Sequence, residues 1–213
     1  MIRYRYIENI IYKIYNELPR LSFPIHPEEI VKLIPNCRIM TYKEFAKMNC
    51  CTVMQVSHIC QSDFGCSHFD QVFNRFLIIY NDEIFYGNSF GKQRWTIAHE
   101  IGHILCGHFQ SLAASNEPLE FNDVFDEYNY YFNDEKDDYE IEADFFAANL
   151  LSPLVMFEVF DIKDANSARW KFGLSQTASK NRYNQYVKWR DRGYHFNWDK
   201  AISHLYSQKL YRE

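Results

Sequence analysis

The sequence predicts an α+β fold in which helices pack on a small antiparallel sheet. Apolar residues recur at helical spacing near the N-terminus and again across the second half of the 213-residue chain. Between these regions, residues 37–86 hold short β-rich runs separated by polar turns. No internal repeat or low-complexity linker interrupts the pattern. We therefore expect one domain over residues 1–213, with a core at 20–152 and a helical C-terminal subdomain at 153–192.

Two helices and three strands are expected in the first half of the chain. The first helix spans residues 3–18, where isoleucines follow helical spacing, and Pro19 ends it. A short second helix follows His26, because Pro27 suits a first helical turn and the next two glutamates favour the helix dipole. The predicted strands are Cys37 to Tyr42, Thr52 to Ile59 and Arg75 to Tyr80.

Two strongly apolar helices are expected in the second half. The first runs from Arg94 to Phe109 and reads RWTIAHEIGHILCGHF. The second starts near Asp137 and ends where Pro153 follows Ser152. Residues 110–136 between them form a polar loop, long enough to be a candidate lid or substrate rim.

Composition excludes several classes of protein. A chain that is 47% apolar, 24% charged and 18% aromatic is typical of a folded globular protein. Charges interrupt the apolar residues of the N-terminus, which therefore lacks a signal-peptide core or a membrane span, and we expect a cytoplasmic location. Six cysteines without a CxxC pair are expected to be reduced. A second metal site built from Cys60, Cys66 and His58 or His68 has no recognised ligand spacing.

The chemistry is concentrated in an HExxH motif, His99-Glu100-Ile101-Gly102-His103. On a helix, residues i and i+4 share a face, so both imidazoles can bind one metal ion. Glu100 lies one position after the first ligand, where its carboxylate can take a proton from metal-activated water as the general base. Gly102 has no side chain and would let another element approach closely beside the metal.

A catalytic zinc needs a third protein ligand and one open position. The pattern HExxHxxGxxH fails, because Cys106 and Phe109 occupy its glycine and third histidine. His108 lies about 140° around a helix from His103, so we expect it at the helix end or in a loop.

A glutamate from the next helix is the other source of a third ligand. Glu140 can ligate the metal, and Asp144, on the same face, can accept a hydrogen bond from a ligand imidazole and fix its tautomer. A solvated acidic stripe is the alternative, although Phe145 and Ala148 place a buried face beside this one. Glu142 points to nearly the opposite side and is expected to be a surface acid.

These motifs resemble the ImmA/IrrE family of metallopeptidases. The segment EIEADFFAANLLSP matches the family pattern E-x-x-A-[ND]-x-F-A followed by a leucine pair and proline, and the likeness covers about residues 20–190. The resemblance implies an α+β fold with a zincin-like active-site helix, one Zn²⁺ held by His99, His103 and Glu140, and Glu100 as base. It also implies a regulatory protease that cleaves a helix-turn-helix repressor, often encoded on a mobile element. Some members carry a C-terminal sensor domain, for which the residues after Pro153 are too few.

A DNA-binding or protein-binding regulator with a structural or inactive metal site is the alternative function. Residues 163–213 hold eleven basic and four acidic residues, whereas residues 117–144 hold twelve acidic residues and one basic residue. Two helices joined at Gly173 can form a helix-turn-helix or a plain helical hairpin. Within residues 167–186, the side chains that could meet phosphates are those of Arg169, Lys171, Lys180 and Arg182.

Overall fold

The computed structural model describes residues 1–85, 87–109, 137–193 and 197–210. The predicted loop at 110–136 lies outside these residues. The predicted α+β class is confirmed, since the structure has one three-stranded sheet and helices that precede and follow it in the sequence. The strands are β1 (Cys37–Thr41), β2 (Gly65–Asp70) and β3 (Arg75–Tyr80). The helices are α1 (Tyr4–Glu17), α2 (Pro27–Val31), α3 (Tyr42–Met48), α4 (Val53–Ile59), α5 (Phe90–Leu105), α6 (Asp138–Leu151), α7 (Leu154–Val159), α8 (Ala165–Phe172), α9 (Gln176–Asp191) and α10 (Asn197–Leu210).

The sheet is mixed, so the prediction of an antiparallel sheet was wrong. Its order is β1-β3-β2, with β3 parallel to β1 and antiparallel to β2. Parallel strands require a long crossover connection, and here α3, α4 and β2 all lie between β1 and β3 in the chain. Strand β2 is a short polar run, GCSHFD, which lacks the apolar alternation that would have predicted it.

The predicted strand from Thr52 to Ile59 is the helix α4. Its β-branched residues favour a strand, but Thr52 and Gln55 form a capping box in which each side chain accepts a hydrogen bond from the other's backbone N–H. Thr41 and Glu44 start α3 in the same way. Local capping chemistry therefore decided both helices, and its Thr-x-x-Gln/Glu signature was present in the sequence.

One hydrophobic cluster joins the N-terminal helix, the sheet, the α5–α6 pair and the C-terminal helices. Helix α1 packs along α6, where the Tyr15 hydroxyl donates to the Leu150 carbonyl oxygen at 2.5 Å and Tyr4 meets Phe145 edge to face. No helix among the described residues has the length and apolar character needed to cross a membrane. Members of the cluster include Ile7, Ile78, Ile97, Ile101, Phe146, Phe157, Phe172, Tyr186 and Ile202.

Candidate active site

Helices α5 and α6 lie against each other at Gly102. A Cβ atom on Gly102 would come within 3.1 Å of the Ala143 Cα and 3.2 Å of the Phe146 Cβ. The predicted close approach at this glycine is therefore present, and the element that approaches is α6. Ser89 caps the start of α5 by accepting a hydrogen bond from the Lys92 backbone N–H. Because α6 packs on α5 at this glycine, the HExxH residues face the first two turns of α6, which carry Glu140 and Asp144.

Three side chains converge between the two helices. The Nε2 atoms of His99 and His103 are 3.0 Å apart, and each lies 3.2 Å from a carboxylate oxygen of Glu140. Tetrahedral zinc ligands at 2.0–2.1 Å would lie about 3.3 Å from one another. These three side chains line a cavity of about 540 Å³, to which Glu100 and Asp144 also contribute.

Asp144 controls the orientation of His99. Its Oδ1 lies 3.0 Å from His99 Nδ1, so the ring donates there and turns its Nε2 toward Glu140 and His103. Burial lowers the pKa of His99, but hydrogen bonds to Asp144 and Glu140 outweigh burial and raise that pKa to about 10. Burial raises the pKa of Glu140, but the contacts of its carboxylate with His103 and His99 outweigh burial and hold that pKa well below its usual range.

This donor set fits a zinc ion. Two ring nitrogens and a carboxylate this close together repel one another unless a positive charge lies among them, supplied by a proton on His99 or by a metal ion. Two imidazoles and one carboxylate are also the ligand set of a catalytic zinc site that keeps one position open. His99, His103 and Glu140 form one of the candidate metal-binding groups among the described residues.

Glu100 lies beside these ligands and is held from the sheet side. Its carboxylate accepts a hydrogen bond from the Ser67 hydroxyl at 2.6 Å, and Glu100 is buried. Ser67 belongs to β2, which the sequence pattern did not predict as a strand. For that reason the contact between Ser67 and Glu100 was not foreseen.

Glu142 is not a surface acid, and that prediction was wrong. The residue is 2% exposed, and its carboxylate accepts hydrogen bonds from the backbone N–H and the guanidinium of Arg3 at 2.5–3.2 Å. A further guanidinium hydrogen bond joins Arg3 to the carbonyl oxygen of Cys106 at 2.8 Å. Helix α1 brings Arg3 to this side of α6, which no local spacing around Glu142 could indicate.

His108 follows the end of α5, as predicted, but its side chain is fully buried. Its Nδ1 lies 2.9 Å from His103 Nδ1, and its Nε2 lies 3.0 Å from Glu142 Oε2. Burial lowers the pKa of His108 to about 4, so the ring is neutral near pH 7. Burial raises the pKa of Glu142, yet hydrogen bonds from Arg3 and His108 outweigh that effect and lower it to about 2.

Cys106, His108 and Glu142 form a second group with metal-ligand chemistry. Burial and the charge of Glu142 raise the pKa of the Cys106 thiol to about 12, which disfavours the thiolate that a metal requires. Arg3 already supplies positive charge to Glu142. We therefore assign no metal to this group.

All six cysteines are free thiols. Among the described residues, Cys60 and Cys66 form no ligand group with His58 or His68. The second metal site considered for these residues thus has no support in the geometry.

One protein-family model matches the chain. Residues 84–184 match the IrrE N-terminal-like domain, Peptidase M78, which confirms the resemblance on a narrower span than residues 20–190. The matched span contains the helices α5 to α8 and the first part of α9. No curated protein matches the chain.

Proposed function

We propose that this chain, whose residues 84–184 match the IrrE N-terminal-like family of peptidases, is a zinc-dependent endopeptidase. The observation that carries the proposal is the convergence of His99, His103 and Glu140 beside the buried Glu100. The two histidine Nε2 atoms lie 3.0 Å apart, and each lies 3.2 Å from one oxygen of Glu140. In this proposal His99, His103 and Glu140 hold one Zn²⁺, and Glu100 is the general base.

The roles follow from the positions of the side chains. Zinc, when bound, activates water and polarises the scissile carbonyl group. Glu100 takes the proton from the attacking water and passes it to the leaving amine. The hydroxyl of Ser67 fixes one carboxylate oxygen of Glu100, so that the other oxygen serves as the proton acceptor. Asp144 fixes the tautomer of His99 through the contact at Nδ1.

We propose a transcriptional repressor of the helix-turn-helix class as the substrate, by the resemblance to the ImmA/IrrE family. Mobile elements and stress operons are the genetic settings that this resemblance implies. A cytoplasmic location is part of the same proposal, and the six free cysteines support it.

DNA binding by residues 167–186 is less well supported. Arg182 is buried, and its guanidinium donates to the Ser152 carbonyl oxygen at 2.9 Å and to Asn149 Oδ1 at 2.6 Å. Its charge is therefore used inside the protein and does not reach a phosphate. Lys171 lies over the ring of Phe160 at 3.8 Å, as expected in a packed helical hairpin.

The decisive experiment combines zinc analysis with a cleavage assay. Wild type and Glu100→Ala are purified, their zinc content is measured, and each is incubated with a helix-turn-helix repressor encoded beside the gene. We expect one zinc in both proteins and cleavage only by wild type. A folded wild type that binds no zinc when zinc is supplied would refute the ligand assignment. Cleavage by Glu100→Ala at the wild-type rate would refute the role of the base.

A further inference from the structure

A chain of hydrogen bonds begins on the side of His103 that faces away from the cavity. The chain runs from His103 Nδ1 to His108, then to the carboxylate of Glu142, and ends at Arg3. Each step is 3.0 Å or shorter along this path. The side chains of His108 and Glu142 are 0% and 2% exposed, so water does not compete for these contacts.

Donor and acceptor matching gives the chain one direction. Three N–H groups of Arg3 already donate to the oxygens of Glu142, so this carboxylate accepts from His108 Nε2 as well. In the His108 tautomer that donates through Nε2, the Nδ1 atom is the acceptor. His103 must then donate from its Nδ1, which leaves the lone pair of its Nε2 directed at His99 and Glu140.

We propose that Arg3, Glu142 and His108 are positioning residues that fix the tautomer and orientation of His103 for metal binding. The inference rests on the proposed function, in which His103 is a zinc ligand. Arg3 is the last residue in this chain of hydrogen bonds, and it contacts two elements. It pairs with Glu142 on α6, and it donates to the Cys106 carbonyl oxygen directly after α5. One guanidinium thus links the two helices that carry the proposed ligands.

Arg3 lies far outside the family-matched span, residues 84–184. It approaches Glu142 across 139 positions of sequence, through the packing of α1 on α6. Part of the metal site is therefore supplied by the N-terminal segment of this chain, beyond the segment that carries the HExxH motif.

The first test measures zinc affinity by competition with a chromophoric chelator. Arg3→Met removes the charge and the N–H donors and keeps an unbranched apolar side chain. Arg5→Met is the matched control, because Arg5 is exposed two residues away, in the first turn of α1, and takes no part in the hydrogen bonds from His103 to Arg3. Removing a hydrogen-bond partner of a metal ligand weakens metal binding about 10- to 100-fold. We expect Arg3→Met to weaken zinc binding about tenfold, Arg3→Lys to have a smaller effect, and Arg5→Met to match wild type.

A role that is only structural gives a different result. Arg3→Met would then unfold at a lower urea concentration while its zinc affinity stayed at the wild-type value, and that outcome would overturn the proposal. If Arg3→Met does not fold, Arg3→Lys is compared with Arg5→Met in the same competition assay, and wild-type affinity in Arg3→Lys together with an unchanged ring tautomer counts against the proposal.

The second test reads the tautomer of His103 directly. Long-range ¹H–¹⁵N spectra of the imidazole rings in metal-free wild type identify the nitrogen that carries the proton. We expect the Nδ1–H form for His103 in wild type and in Arg5→Met, and a mixture of forms in Glu142→Gln. An Nε2–H form in folded wild type would overturn the proposal. Because this spectrum needs no zinc, it also separates failure of the inference from failure of the proposed function.

Discussion

The two histidines of the HExxH motif are held in different ways. His99 is oriented by a single carboxylate, Asp144, which lies one helical turn after Glu140 and is 31% exposed. His103 is oriented through the buried His108 and Glu142, and the chain of contacts continues to Arg3. One imidazole is therefore supported locally at the mouth of the cavity, and the other through the protein interior.

The contrast between the contacts of His99 and those of His103 shows where sequence spacing carries information about a metal site. Glu140 and Asp144 share a helix face, so a pattern of four residues suffices to predict that they lie together. Buried polar groups must find partners, but nothing in the local pattern says that the partner of Glu142 is 139 residues away. The support of His99 was predictable for this reason, and that of His103 was not.

Removing Glu140, the proposed ligand that both histidines contact, has the largest expected effect. Loss of a hydrogen-bond partner of a metal ligand weakens metal binding about 10- to 100-fold. Glu140→Ala should weaken zinc binding by more than this, because two protein ligands remain where a catalytic site needs three. Zinc content and chelator competition measure the change. Glu158→Ala, an exposed glutamate on α7, is the control. Retention of full zinc affinity by Glu140→Ala would mean that the third ligand lies elsewhere.

The independence of the two supports is tested by a double variant. Asp144→Ala should weaken zinc binding about tenfold through His99, because Asp144 contacts His99, whereas the hydrogen bonds that end at Arg3 begin at His103. Its effect should add to that of Arg3→Met, giving about 100-fold in the double variant if the two sites act separately. The competition assay on both single variants and the double variant completes the cycle. If the double variant binds zinc no more weakly than either single variant, the supports of His99 and His103 are coupled and do not act separately.

The smallest effect is expected at Gly102, where α5 and α6, the helices that carry the proposed ligands, contact each other. In Gly102→Ala the new methyl group meets the backbone of Ala143. Overpacking of this kind costs about 1–3 kcal/mol, against about 1 kcal/mol gained from helix propensity. We expect a net loss of about 1 kcal/mol in the free energy of unfolding, measured by urea denaturation with Ser207→Ala on α10 as the control. Greater stability in Gly102→Ala would show that α5 and α6 adjust freely at this point.

The fold was predictable where periodicity is strong. Helices α1, α5 and α6 and the strand β3 lie close to the predicted positions, since their apolar spacing reflects which face is buried. Helix α4 was predicted as a strand because its β-branched residues favour a strand, although Thr52 and Gln55 carry a helix-capping signature. The parallel pairing of β1 with β3 depends on contacts between distant segments, and the contact of Ser67 with Glu100 depends on the sheet that this pairing builds.

The pairing of Arg3 with Glu142 also sets a limit on how this site can be transplanted. A chimera that moved only residues 84–184 to another scaffold would carry the HExxH helix and Glu140, together with Asp144, but would leave Arg3 behind. A core cut at residue 20 would do the same. Without Arg3 the carboxylate of Glu142 stays buried and loses its cationic partner, which destabilises the folded protein. The smallest portable unit therefore begins upstream of α1, and any recipient scaffold must offer Glu142 a cation of its own.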